Sequence, residues 1–205
     1  MIHQPAYFLN LSYKNGMRGN KMKKQPEATK RTKSILVDAF WELYCQKGIR
    51  KITVKEITDK AGFNRSTFYQ YFIDVYDVLD QIENSLISYI YENVKEILTA
   101  EIEDAWIDQI TQMYDSKASY LSILLGRNGD PMFFEKIKTV VRPLLINKFK
   151  TDSNDIHVDF ILEFTLSGIL ETIILWYNLG KPVPAEEIVL LIRSIMKKGA
   201  LFVFE

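Results

Sequence analysis

Apolar residues recur along this chain at the 3.6-residue period of an α-helix, and no segment shows the strict alternation of a strand. Ile35, Leu36, Ala39, Phe40, Leu43 and Tyr44 form a stripe that predicts a helix from Arg31 to Gln46, ended at Gly48. Val78, Leu79, Ile82, Leu86, Ile90, Val94 and Ile97 predict a long helix over 74–98. Further helices are expected over 106–114 and 117–125, separated at Asp115-Ser116 and closed by Gly126. Asp130 followed by Pro131 marks the start of another, running to Phe149 with Pro143 as a kink. The last two are expected from Ser153 to Asn178, ended by Gly180 and the turn residues Pro182 and Pro184, and over 185–198. Residues 1–28 have no apolar period and hold Pro5, Gly16, Gly19 and Pro26; they are expected to be a disordered leader, with Met22 an alternative start. The pattern predicts an all-α fold.

Between the first two stripes the signals are local. Thr53 and Glu56 stand at capping-box spacing, which starts a short helix at Val54. Ala61-Gly62-Phe63 stops it, because glycine tolerates the left-handed turn. Asn64 can cap a second helix from Arg65 to Phe72. Two short helices joined by a tight turn with Gly form a helix-turn-helix unit, whose second helix enters the major groove of DNA. Arg65 and Ser66 lie at the end of that helix that enters the groove, and an arginine there suits bidentate bonding to guanine.

Charge supports that assignment. The chain is formally neutral, yet residues 21–72 hold 12 Lys and Arg against 5 Asp and Glu, while residues 73–205 hold 12 against 21. A basic front joined to an acidic remainder is the footprint of a DNA-binding head on a body that avoids DNA. Lys21, Lys23, Lys24, Lys30 and Arg31 form either a basic arm on the phosphates or plain solvated charge. The single Cys45 excludes an intramolecular disulfide and is expected as a small buried residue of the first helix. No secretory signal is expected, and both points favour the cytoplasm. The longest apolar run, Phe160 to Tyr177, is 18 residues long but carries Glu163 and Glu171, so it is expected as a buried helix rather than a membrane span.

Residues 31–79, above all Ala61-Gly62-Phe63 and Ser66-Thr67-Phe68-Tyr69-Gln70-Tyr71-Phe72, resemble the DNA-binding segment of the tetracycline-repressor (TetR) family. The resemblance implies about nine helices, a helix-turn-helix domain over 29–75 and an effector-binding and dimerisation domain over 76–205. It implies that Lys55, Arg65, Ser66 and Tyr69 approach bases and that Thr53, Thr67 and Tyr71 bind phosphates; Tyr69 alternatively packs on the first helix. One position departs from the family. Val75 stands where a phosphate-binding Lys usually begins the fourth helix, and Lys33, Lys51 or the N-terminal arm is the expected substitute.

A single head reads few base pairs, so a homodimer on a palindromic operator is expected. Ile161, Phe164, Thr165, Gly168, Thr172 and Leu175 share one face of the helix expected from Ser153 to Asn178, and Ile188, Leu191, Ile192 and Ile195 form a stripe on the last; together they are either a four-helix dimer interface or part of the monomer core. Trp106, Met113, Tyr114, Tyr120, Phe134, His157, Phe160 and Trp176 are candidates to line a pocket for a small apolar or aromatic effector, as the family suggests. Met132, Phe133 and Phe149 share that character, and plain core is the alternative for each. The polar line Glu163, Ser167, Glu171 faces either solvent or that pocket. With two His, one Cys and no phosphate-binding Gly loop or metal-ligand cluster, no catalytic role, metal or cofactor is expected. The reading is thus a transcriptional regulator, with a protein partner as the alternative to a small effector.

Overall fold

The computed structural model describes residues 26–99, 112, 117, 119–126, 129–151 and 155–196. Among them all regular structure is helical. The chain divides after Ile82 into two compact units.

The first unit begins with α1, Pro26–Lys47, followed by a 3-10 turn at Ile49–Lys51, α2 at Val54–Ala61, α3 at Arg65–Phe68 and the start of α4, Val75–Thr99. α1 starts earlier than the apolar stripe. Pro26 sits in the first turn, where its missing N–H costs no hydrogen bond, and acidic Glu27 suits the positive helix end. Leu36, Phe40, Ile57, Phe68 and Val78 are completely buried and form the core, with Ala39, Tyr44 and Phe72 around them. Cys45 is exposed, contrary to expectation. It comes directly after buried Tyr44, and one residue along a helix turns the side chain about 100° away from the stripe. Two ion pairs tie α1 to α2: Lys47 to Glu56 at 2.5 Å and Lys60 to Glu42 at 2.6 Å.

The second unit takes up α4 from Glu83. It continues with α5, of which residues 119–124 are described, then α6 at Pro131–Phe149, α7 at Ile156–Asn178 and α8 at Ala185–Ile195. Of the helix expected over 106–114 only residue 112, which is helical, is described, and the break at Asp115-Ser116 lies outside the described residues. Asp130 caps α6 as its sequence predicts, accepting the Met132 amide at 2.9 Å with Pro131 at the first position. Asp155 caps α7 by the same device, accepting the His157 amide at 2.9 Å. Leu86, Leu121, Leu124, Phe133 and Ile173 are the innermost side chains. Ion pairs join α6 to α7, Arg142 with Asp159 and Lys138 with Glu163, while Lys136 reaches the fully buried Glu83 of α4 at 2.7 Å. Charges inside a core need such partners, because desolvation alone would neutralise them.

Candidate nucleic-acid interface

The geometry of the head is set by backbone amides finding acceptors. At the start of α2 the Thr53 hydroxyl accepts the Glu56 amide at 3.3 Å, and the Glu56 carboxylate accepts the Thr53 amide at 3.0 Å. The other Glu56 oxygen accepts from Lys47. The Lys47 hydrogen bond, with those from Thr53, holds the Glu56 carboxyl below its ordinary pKa. Gly62 ends α2 at φ +72°, a conformation that a Cβ resists, and Phe63 donates back to the Thr58 carbonyl at 3.0 Å.

Asn64 then caps α3. Its carboxamide oxygen accepts the Thr67 amide at 2.9 Å, the Ser66 hydroxyl at 2.6 Å and the Thr67 hydroxyl at 3.0 Å. The helix is shorter than the sequence predicts. It ends at Phe68, and Tyr69 has ψ near zero, which tightens the next turn into i to i+3 bonds from Gln70 to Thr67 and from Tyr71 to Phe68. The tightening keeps Phe72 beside Phe68, with ring centroids 5.3 Å apart in the core.

The outer surface of α2 and α3 carries a compact set of side chains. Arg65 and Ser66 are exposed, and Tyr69 is 58% exposed with its ring edge-on to Phe68. Lys55 is exposed and paired with Asp59 at 2.8 Å; Thr53 is exposed at its cap; Thr67 and Tyr71 are half-buried. The Ser66 and Thr67 hydroxyls are engaged by Asn64 and must rotate away to donate to DNA. Lys33 lies half-buried with its ammonium 5.5 Å from the Phe72 ring centre. Burial lowers its pKa, and the nearby Asp77 carboxylate acts in the opposite direction. Val75, at the position lacking a lysine, is buried in the core. Ile73, in the turn before α4, and Tyr76, in its first turn, are 80% and 54% exposed.

The second unit has a different surface. Phe164 is 74% exposed, Leu175, Leu191 and Ile195 are exposed, Gly168 is open, and Ile161, Thr172 and Ile188 are intermediate. Thr165 is buried, so it turns away from this face. Phe160 and Leu179 are exposed and extend the α7 stripe at helical spacing, so α7 is buried on one side only.

The residues singled out for a pocket have different surroundings where they are described. Trp106, Met113 and Tyr114 lie outside the described residues. Tyr120 is half-buried on α5, and Phe134 is half-buried with the Lys138 ammonium 5.0 Å from its ring centre. His157 is exposed and bonded to the capping Asp155 at 3.0 Å. Trp176 is buried, donating to the Val183 carbonyl at 2.8 Å. Sixteen residues separate Phe160 from Trp176 on one helix, about 24 Å of rise, and Phe160 is exposed while Trp176 is buried. Glu163 and Glu171 are exposed, and Glu163 accepts from Lys138 and Ser167, which makes the polar line part of the α6–α7 surface. Lys138 holds the Glu163 carboxyl below its ordinary pKa, with Ser167 adding to the effect. Among the described residues there is no cluster of metal-ligating side chains, and no helix is long and apolar enough to cross a membrane.

Comparison with known proteins places this geometry. A family model described as bacterial regulatory proteins of the tetR family matches residues 36–82, which contain the capped α2–turn–α3 unit. A second, described as a transcriptional regulator C-terminal region, matches residues 104–198. No curated protein matches the chain. Among solved structures, a TetR-family regulator from Syntrophomonas wolfei is 17% identical with a TM-score of 0.65, over 84% of this chain and 96% of that one. A TetR regulator from Streptococcus agalactiae is 18% identical with a TM-score of 0.61, over 82% and 95%. FadR of Bacillus subtilis, solved in complex with stearoyl-CoA, is 17% identical with a TM-score of 0.58, over 80% and 97%. The two family models, met in order along the chain by a capped helix-turn-helix head and a helical body, identify it as a member of the TetR family of transcriptional regulators.

Proposed function

We propose that the chain represses transcription as a homodimer that grips a palindromic operator with two α3 segments and releases it when a small apolar effector enters the second unit. The observation that carries the DNA half of this reading is the outward face of α3. Asn64 and Gly62 fix the backbone, Phe68 and Phe72 anchor it, and Arg65, Ser66 and Tyr69 are left free of the core. Arg65 reads guanine, Tyr69 touches a thymine methyl or a phosphate, and Lys33, Thr53, Lys55, Thr67 and Tyr71 position the head on the backbone.

The dimer half is supported by the exposed apolar stripe of α7 and α8. Phe160, Phe164, Leu175, Leu179, Leu191 and Ile195 together form a patch that a solitary soluble chain rarely leaves in water. Two helices from each copy would close it as a four-helix bundle. The effector half is supported by the stearoyl-CoA held by FadR of the same fold. A movement in the second unit would travel along α4, which begins seven residues beyond α3 and continues into both units. A shift of 1–3 kcal/mol in the coupling between the two sites loosens DNA about 5- to 150-fold.

The experiment is to pass fragments of the source genome over the purified protein and sequence those retained. Enrichment of a short inverted repeat is expected; enrichment of no sequence would reject operator recognition. Fatty-acyl and aromatic compounds should then raise the melting temperature and release the repeat. Release without any thermal shift in such a screen, achieved only by added protein, would move control to a protein partner.

A further inference from the structure

We infer that Asp77, in the first turn of α4, is a positioning residue for base reading: it ties the exit of α3 to α4 and so aims Arg65, without touching DNA itself. The inference rests on the reading that the first unit docks on duplex DNA through α3.

The backbone amides that follow α3 find their acceptors in two places. Those of Gln70, Tyr71 and Phe72 turn back to the carbonyls of Thr67 and Phe68. The Ile73 amide instead donates forward, to Asp77 Oδ2 at 2.7 Å. Ile73 is therefore where the turn passes from α3 to α4, and one carboxylate receives it. α3 has only 4 residues, Arg65–Phe68, too few to hold a helical segment in place unaided. Its aim depends on what anchors its two ends. Asn64 caps the start. The far end is anchored by the buried rings of Phe68 and Phe72 and by the bond to Asp77. Apolar packing is non-directional, whereas a hydrogen bond fixes an angle as well as a distance.

Asp77 is itself held. Its amide donates to Asp74 Oδ1 at 2.9 Å, and its own Oδ1 accepts from the Gln81 carboxamide at 3.0 Å. With both oxygens engaged, the side chain cannot swing away from Ile73 without breaking a bond. Its negative charge suits the positive end of α4. The same charge acts on Lys33 of α1, whose ammonium lies 5.5 Å from the centre of the Phe72 ring. Groups from α1, the turn and α4 are thus linked at the exit of α3. A carboxylate on a DNA-binding head has a second, opposite effect, since it repels phosphates. If charge were its whole role, removing it would tighten binding to any duplex. If it positions α3, removing it loosens the duplex whose bases are read and spares random DNA.

The test titrates the full-length protein, Asp77→Ala, Asp77→Asn, Arg65→Ala and the Arg65→Ala/Asp77→Ala double variant against the enriched operator and against random duplex. Binding is measured well below each melting temperature found by circular dichroism. Asp77→Ala should hold the operator about tenfold more weakly, within the range that one bidentate base contact carries, and hold random duplex as tightly as the parent or tighter. Asp77→Asn loses the charge but keeps one acceptor oxygen, so its operator preference should fall by a smaller factor, and it carries the test if the alanine variant does not fold. The double variant should lose less than the product of the two single losses, because an absent Arg65 cannot be misaimed. With a parent that prefers the operator, an unchanged ratio of operator to random binding in the folded Asp77 variants would overturn the inference and leave α3 docking intact, whether both affinities rise together or fall together. Single losses that simply multiply in the double variant would also overturn it. Failure of the parent to bind either duplex would remove the underlying reading and this inference with it.

Discussion

The two units expose different chemistry. In the head the outward groups around α3 are an arginine, hydroxyls and aromatic rings, and the hydroxyls of Ser66 and Thr67 are oriented by hydrogen bonds to Asn64. In the body α7 and α8 expose Phe160, Phe164, Leu175, Leu191 and Ile195, whose side chains have no polar atom to be oriented, beside a separate polar line of Glu163 and Glu171. The first surface suits a hydrated polyanion, where direction matters and each contact is modest. The second suits another apolar surface, where area matters and direction does not. A side chain's effect should therefore show in binding slopes and base preference for the head, and in assembly for the body.

The largest effect should come from the head's small core. Phe68 is completely buried beside Phe72, so Phe68→Ala should cost about 3–5 kcal/mol. The head should melt at lower temperature while the body keeps its own transition. A calorimetric scan showing both units lost together would break the comparison at its root.

Next comes Gly168. A Cβ built there meets nothing within 4 Å in the single chain and the position is exposed, so Gly168→Leu is expected to keep the protomer's fold. In a closed dimer the same side chain overpacks the helix crossing by about 1–3 kcal/mol. Sedimentation should show a dimer for the parent and a weakened dimer for the variant, with helical content preserved. A monomeric parent at micromolar concentration would reassign the stripe and remove the palindrome argument.

Arg65→Ala should cost a similar or smaller amount, about 1–3 kcal/mol on the operator, and relax preference at one base pair. Random DNA should lose less. Equal losses on both duplexes would make Arg65 a phosphate contact rather than a reader of bases.

The legibility of these surfaces in the sequence divides along the same line. The head was legible because its signals act over three or four residues: Thr53 with Glu56, Gly62 at positive φ, Asn64 under Thr67. The length of α3 was not legible, since its early end depends on bringing Phe72 back to Phe68, a packing demand that no local propensity carries. In the body the helices were legible from their period and caps, but the role of each aromatic was not. Phe160 and Trp176 are both large aromatics on α7, yet one is exposed and the other buried at the α7–α8 turn with its N–H on Val183. Buried Glu83 with Lys136 was missed because its partner is 53 residues away. Cys45 was misplaced by reading residue type over helical phase.

The smallest effect separates the units by pH. In the head, Lys47 and then Thr53 hold the Glu56 carboxyl below its ordinary value; in the body, Lys138 and then Ser167 do the same for Glu163. A lowered folded-state pKa means the native form binds fewer protons than the unfolded chain. The stability linked to each group is therefore complete above the ordinary glutamate value of about 4.3 and is lost as pH falls through the lowered native value. Both carboxylates face solvent, so the contribution is slight and screened by salt. Glu56→Gln keeps an acceptor for the Thr53 N–H of the capping box, and removes the titration together with the Lys47 ion pair. It should flatten the acid limb of the head's melting transition and leave the body's limb as it was, while Glu163→Gln should do the reverse. Melting tracked from about pH 6 down to about pH 3 spans the window around the ordinary glutamate value and resolves the two limbs. A Glu56→Gln protein whose head still loses stability with the parent's slope would show that the cap holds by geometry alone, and that charge at the start of α2 adds nothing to the fold that presents α3.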